Sequence, residues 1–509
     1  MTGQESSPSG NSGGQSMLGG VAWMLGFRVF DRVAGVVSIL ILARLLLPEH
    51  FGIVALASTV VAFVELLSAL GLDTVLIQKR DLTRDHYDTA WTIQLGVATF
   101  CAILLALAAM PAAAFFKEPR LEGIVYVLAA SMFFEGWQNI RLVDFRREMR
   151  FDREFVFLVS RRMVAVLVTM AAAFALRNQW ALAIGIFASR SVGVVLSYAM
   201  RPYLPHFSLA HRLEFVGKSS WLLLSNLVMF VRSRTSDIVL GRMSGAATVG
   251  AYNLAGDLAN MVGQELVAPI NRVALPDFSQ KTSREQVGER FDVLTGQVAV
   301  FLAPLAAGMA ACASLLIPLL FGPAWLAAVD VLRFLAWAAL VAGLASNIGV
   351  AFLSLGHYRA NAAIHAIGAV TLVPLLALGA SLAGPTGAAM AVLAGNIVTT
   401  LAALMFSVQA FNYGVVRFLR RVWRPVTAAA LMSYLVAYSG DALVAWWPRL
   451  PDFVRLLLMI GLGAITYPAL LMTLWGLGGF ADGAERTTLN LLQRLVVRRI
   501  WPGERRAVG

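Results

Sequence analysis

Two charged stripes lie inside segments otherwise apolar enough to cross a bilayer. Arg28, Asp31 and Arg32 stand at i, i+3 and i+4; Arg234 and Asp237 stand at i and i+3, with Arg232 beside them. These spacings put each set on one face of a helix. An ionised side chain at bilayer depth costs at least about 2.5 kcal/mol, so it persists only beside a partner or a water-filled cavity. Arginine has a planar fork that makes paired hydrogen bonds to phosphate and never deprotonates. One carboxylate in each stripe can neutralise one arginine and leave another free for an anionic ligand. Arg28, Asp31, Arg32, Arg232, Arg234 and Asp237 are therefore the expected substrate-binding residues. The competing reading of each stripe is an Arg–Asp pair that only locks helices together.

The acids at similar depth are Glu65, Glu135, Asp257, Glu265 and Asp330. Intramembrane carboxylates often carry protons or sodium, and Glu65, Glu135 and Asp257 are the expected ion-coupling candidates. Asp257, Asn260 and Gln264 share one helical face. Serving as counter-charges for the arginines is the alternative role. Arg161 and Arg162 read as side chains reaching from near a helix end to the interface, and His365 as a hydrogen-bonded core residue. Cys101 and Cys312 sit in apolar runs without metal-ligand neighbours and read as small core residues. The chain contains no phosphate-cradling glycine loop, no HExxH and no GxSxG elbow. No catalytic residue, metal or cofactor is expected, and the protein is not expected to be an enzyme.

The elements that must hold these charges are membrane helices. The chain has 509 residues, 59% hydrophobic and 14% charged, with mean hydropathy +0.73. A soluble protein would carry about a quarter charged residues. Apolar blocks longer than about 18 residues recur throughout, as spanning helices require. They number about fourteen: 20–46, 51–77, 88–114, 121–141, 155–176, 179–200, 216–240, 249–273, 295–320, 328–355, 360–382, 386–411, 425–447 and 453–477. The expected fold class is an all-α integral membrane protein with two six-helix pseudo-symmetric lobes and two extra C-terminal helices. The net charge of +12 does not indicate nucleic acid, because the basic residues fall in short loops between spans. Loops after even-numbered spans, with the tail, hold 26 Lys and Arg, and the other loops hold 7. The positive-inside rule then places both termini in the cytoplasm.

The lobes come from an internal repeat. Leu42-Ala43-Arg44, Phe51-Gly52-Ile53 and Val75 are matched by Leu240-Gly241-Arg242, Val249-Gly250-Ala251 and Val273 at one constant offset of 198. Repeats of this kind place the substrate at the interface of two lobes. The expected division is a disordered N-terminus at 1–16, an N-lobe at 17–205, a C-lobe at 206–412, two added helices at 413–480 and a basic tail at 481–509. In the tail Leu489, Leu492, Leu495, Val496 and Ile500 fall at helical spacing among arginines, as in a helix lying on an anionic membrane surface.

Several stretches resemble one family. Ala43-Arg44-Leu45-Leu46-Leu47-Pro48-Glu49-His50-Phe51-Gly52, then Gly71-Leu72, Val75-Leu76-Ile77-Gln78 and Leu82-Thr83, resemble the first-loop signature of bacterial polysaccharide transporters. Asp237-Ile238-Val239-Leu240-Gly241-Arg242 with Gly250-Ala251-Tyr252-Asn253 and Ala255 resembles its second-half counterpart. These are the lipid-linked oligosaccharide flippases of the multidrug/oligosaccharidyl-lipid/polysaccharide exporter superfamily. The resemblance implies an undecaprenyl-pyrophosphate-linked sugar as substrate, in a cationic cavity, moved by alternating access in the bacterial inner membrane. Implied partners are that lipid-linked oligosaccharide, membrane lipids and the polysaccharide polymerase machinery. Rival readings are a multidrug or cation antiporter of the same superfamily, a peptidoglycan lipid-precursor flippase, and a membrane polymerase or ligase. Organic cations call for a carboxylate-lined cavity, and polymerases for a large external loop. This chain has an arginine-rich interior and short external loops.

Overall fold

The computed structural model describes residues 12–66, 71–79, 81–216, 220–281, 283–479 and 486, with 12–18, 21, 216, 220–225, 264–266 and 273 at the backbone alone. The expected amphipathic tail, apart from 486, and residues 1–11 lie outside the described residues, as do the side chains of Gln264 and Glu265.

Among the described residues there are sixteen α-helices and no strand. They are α1 Ser12–Leu45, α2 Pro48–Glu65, α3 Leu72–Gln78, α4 Arg84–Phe116, α5 Arg120–Gly136, α6 Val143–Arg147, α7 Phe151–Leu176, α8 Trp180–Met200, α9 Arg212–Val216, α10 Ser220–Ser244, α11 Ala246–Ser279, α12 Arg284–Phe321, α13 Ala328–Ser354, α14 Tyr358–Phe411, α15 Val415–Trp446 and α16 Asp452–Leu477. α1 begins at Ser12, inside the expected N-terminal leader.

Helix ends follow local chemistry. Pro48 opens α2, where its missing N–H costs nothing. The Ser283 hydroxyl accepts from the N–H of Gln286 to cap α12. Lys117, Arg177 and Asn412 close α4, α7 and α14 in the left-handed conformation, with φ of 55°, 50° and 52°. α14 runs through a break at Ala383 and Gly384, where Gly384 has φ 55° and Pro385 follows. The break falls between the two spans expected at 360–382 and 386–411. The span expected at 51–77 is not one helix: α2 ends at Glu65, and α3 starts afresh after Gly71 at φ 64°. Glycine accepts that conformation without steric cost.

Among the described residues nine helices are long and apolar enough to cross a membrane, and the chain is a multi-pass membrane protein. Length and composition of the described residues do not confirm the expected count of fourteen. α5 has only 17 residues, and α10 carries Arg232, Arg234 and Asp237 in its second half.

By its contacts the chain divides into Met1–Gly250 and Ala251–Gly509. In the first unit α4 pairs with α5 and α7 with α8, α1 lies along α7, α5 packs on α8, and α2 packs on both α5 and α10. Leu42, Leu46, Ala173 and Ala181 form one small core, and Leu76, Tyr87, Trp91, Ile140 and Val143 anchor another. α2 also crosses the beginning of α11. A Cβ on Gly52 would stand 1.7 Å from the carbonyl oxygen of Ala246, and one on Gly250 would stand 1.9 Å from that of Pro48. Both 246 and 48, and 250 and 52, differ by the repeat offset of 198. The two copies of the motif thus meet each other reciprocally at this crossing.

The second unit packs α13 and α15 on α12, α14 on α13 and α16 on α15. Its core runs through Phe291, Leu302, Leu340, Phe352 and Phe411. Buried polar tips find partners: Tyr413 donates to Asp292 at 2.8 Å, and Tyr467 to the carbonyl of Val300 at 2.9 Å.

Candidate functional site

The charges at membrane depth in the first unit lie on α1, α2, α5, α7, α8 and α10, and most are joined into ion pairs. Asp31 of α1 pairs with Arg162 of α7, Nε to Oδ1 at 3.0 Å. Gly35, one turn on in α1, leaves room for that guanidinium, since a Cβ there would stand 3.2 Å from Arg162 Nη2. Arg161, the next residue of α7, points to α5 and donates to Glu135 at 2.9 Å. Arg190 of α8 reaches the other Glu135 oxygen at 3.1 Å and Glu65 at the end of α2 at 3.4 Å. Glu135 is thus bridged by two guanidinium groups. On α10, Asp237 pairs with Arg234 at 3.4 Å and accepts from the Thr59 hydroxyl of α2 at 3.1 Å. Asp237 is only 4% exposed, whereas Asp31 is 47% and Glu65 44% exposed. Charged groups this open at bilayer depth must face water rather than acyl chains.

Seven arginines (Arg28, Arg32, Arg161, Arg162, Arg190, Arg232 and Arg234) stand against four carboxylates, leaving three positive charges in excess. Two unit charges 4 Å apart attract by about 4 kcal/mol at an effective dielectric constant of 20. Partial exposure reduces the net value of each pair well below that. The pairs are therefore exchangeable: an oxyanion of higher charge can take a guanidinium from a carboxylate at small net cost.

The structure rearranges the expected partnerships. Asp31 takes Arg162 from a neighbouring helix, beside its expected stripe-mates Arg28 and Arg32, of which Arg28 lies exposed on α1. Glu65 and Glu135, the ion-coupling candidates, are both held by arginines. Asp257 lies in the second unit, exposed on α11 near the exposed Asn260. Asp330 pairs with Arg333 at 2.9 Å. His365, expected in the core, is on an exposed face of α14, while Cys101 and Cys312 are buried free thiols.

Arg161, Arg162 and Arg190 are absent from the expected substrate-binding set, and Arg161 and Arg162 are ion-paired rather than reaching to an interface. One signal was available. α7 and α8 form a hairpin about Arg177, and Arg161 and Arg190 lie 16 and 13 residues from its turn. At 1.5 Å per residue these are similar depths.

The sequence profile described as polysaccharide biosynthesis protein matches residues 41–330, more than half of the chain. The lipopolysaccharide biosynthesis protein WzxC of Escherichia coli (strain K12) is 22% identical over 397 residues, covering 76% of this chain and 80% of that protein. The succinoglycan biosynthesis transport protein ExoT of Rhizobium meliloti (strain 1021) is 28% identical over 304 residues, 59% of this chain and 61% of that protein. Among solved structures, the lipid II flippase MurJ in an inward closed conformation aligns with a TM-score of 0.70 at 13% identity, over 89% of this chain and 99% of that one. An inward-facing multidrug resistance MATE family transporter aligns with a TM-score of 0.52 at 14% identity, over 74% and 94%. At these identities the likeness to MurJ and to the MATE transporter speaks for the fold.

Proposed function

Because the chain belongs to the polysaccharide biosynthesis protein family, we propose that it moves undecaprenyl-pyrophosphate-linked oligosaccharide repeat units across the bacterial inner membrane for exopolysaccharide, capsule or O-antigen assembly. It is a transporter working by alternating access of two lobes, 17–205 and 206–412, with both termini cytoplasmic. It would hand its cargo to polymerase machinery on the far side. The observation that carries this reading is the excess of arginine over carboxylate among the part-exposed charges of the first unit. A pyrophosphate is the ligand that such a surface suits, because each guanidinium can make two hydrogen bonds to one phosphate. An efflux pump for organic cations would need the opposite sign.

In this reading Arg28, Arg32, Arg232 and Arg234 receive the pyrophosphate. Glu135 holds Arg161 and Arg190 beside that set. The arginine partners of Glu65 and Glu135 favour a counter-charge role over ion coupling. The empty carrier then returns with net positive charge moving inward, which an inside-negative potential favours by about 2.3 kcal/mol per charge per 100 mV.

Export of the polysaccharide in a strain lacking the chromosomal copy is the direct test. Single Arg→Ala changes at 28, 32, 232 and 234 should abolish export while the protein stays in the membrane, and wild-type export by the quadruple variant would sink the assignment. The driving force is read in liposomes. Collapsing the electrical potential with potassium and valinomycin, with proton and sodium gradients clamped, should slow transport. Unchanged transport would return the coupling to Glu65, Glu135 or Asp257.

A further inference from the structure

A second cluster of chemistry-bearing side chains lies apart from the arginines, where the first turn of α4 meets the segment after α8. His86 of α4, His211 just before α9 and Glu214 of α9 each bring one ligand atom to within 4.8 Å of the others. His211 Nδ1 is 3.1 Å from one Glu214 oxygen, and His86 Nε2 is 3.7 Å from the other. In tetrahedral zinc, with bonds of about 2.0–2.1 Å, neighbouring donor atoms stand about 3.3 Å apart. The two contacts use different Glu214 oxygens, and the one-per-residue ligand atoms, within 4.8 Å of one another, must draw closer to reach that figure. The two imidazoles stack with centroids 3.7 Å apart at 14°, so turning the half-buried His211 ring is the adjustment that closes the set.

Two further features suit a metal. His86 is buried, and its Nδ1 lies 2.7 Å from the Thr83 hydroxyl. The Thr83 N–H also donates to that Nδ1 at 3.2 Å, so the cap of α4 fixes the ring with Nε2 toward the cluster. The position also already holds a cation: Lys79 Nζ contacts both His86 Nε2 and the Glu214 carboxylate. Its side chain is 30% exposed on a flexible stem, so it can withdraw when a divalent ion enters.

We propose that His86, His211 and Glu214 form a binding site for a divalent transition ion of the zinc class, with Lys79 as the built-in competing cation. Two imidazoles and one carboxylate favour such ions over magnesium or calcium, which prefer all-oxygen sites. The bound ion pins the link between α8 and α9 to α4. That link is already tied there by the N–H of His206 donating to Asp88 at 2.9 Å and that of Ser208 donating to Thr92 at 3.0 Å.

The test is titration of the purified full-length chain, free of any histidine tag, with zinc, and with cobalt as a spectroscopic substitute. Wild type should take up one equivalent and give the visible absorption of cobalt bound by nitrogen and oxygen. His211→Ala and Glu214→Gln, both at accessible positions that leave the α4 cap intact, should weaken binding roughly ten-fold or more, the scale seen when metal-site partners are removed. Lys79→Met should tighten it. Metal-free melting temperatures of the variants separate ligand loss from misfolding. Wild type without stoichiometric uptake, His211→Ala binding as wild type does, or Lys79→Met without gain would each overturn the site.

Discussion

The reciprocal crossing of Gly52 and Gly250 makes the most demanding prediction. An alanine at 52 would place its methyl 1.7 Å from the Ala246 carbonyl oxygen, and one at 250 would place its methyl 1.9 Å from that of Pro48. A comfortable carbon–oxygen contact is about 3.3 Å, so each substitution demands a shift of roughly 1.5 Å. The obstacle is backbone on another helix, which no rotamer change relieves. Overpacking usually costs about 1–3 kcal/mol, and a backbone collision puts Gly52→Ala and Gly250→Ala at the upper end, about 3 kcal/mol each. The two contacts belong to one crossing, so separating the helices for the first makes room for the second. The double variant should then fall short of the sum by at least about 1 kcal/mol. Gly96→Ala is the control: nothing lies within 4 Å of a Cβ there, and alanine in a helix gains up to about 1 kcal/mol over glycine. Unfolding of the detergent-purified chain, followed by melting and by retention of a monodisperse elution peak, reads all four. If both crossing variants melt with wild type and Gly96→Ala, or if their effects simply add, the reciprocal contact is wrong.

Other consequences follow from the charge network. Cysteines at Arg28 and Arg234 should react with a membrane-impermeant thiol reagent in at least one transport state, and silence at both while control sites label would remove the basis for a wet substrate cavity. Glu135→Gln removes the carboxylate that Arg161 and Arg190 share, leaving Arg190 with Glu65; it should lower stability by about 1 kcal/mol, as expected of part-exposed pairs, and bind inorganic pyrophosphate several-fold tighter by calorimetry. Unchanged or weaker binding would show that Glu135 does not compete with the ligand. At the α4–α5 turn the hydrogen bond from Arg120 holds the Glu118 carboxyl below its usual value. A lowered folded-state pKa gives stability that is present above the unfolded value near 4.5 and is lost as pH falls through the folded one. Glu118→Gln should therefore flatten the acid limb of the melting curve below about pH 5, and an identical acid limb would exclude that contribution.

Chain order alone determined the helices. Burial in lipid leaves the backbone no partner but itself, so every long apolar run becomes a helix, and most expected spans lie within a few residues of the observed elements. The break at Gly384 was legible because the Gly384-Pro385 pair punctuates the apolar run. The split between α2 and α3 was not, since Gly71 lies in a run that reads as continuously apolar. The presence of excess arginine at depth was also legible, because cost at depth depends on residue type and position along the chain. Which carboxylate serves which arginine was not. Asp31 is three residues from Arg28 and next to Arg32, yet it meets Arg162, which is 131 positions away. That pairing depends on how α1 lies along α7, a matter of packing between ridges that no single helix encodes. The same holds for His86, His211 and Glu214. Their spacing in the chain carries no ligand signature, and only the return of the α8–α9 link onto α4 brings them to one point.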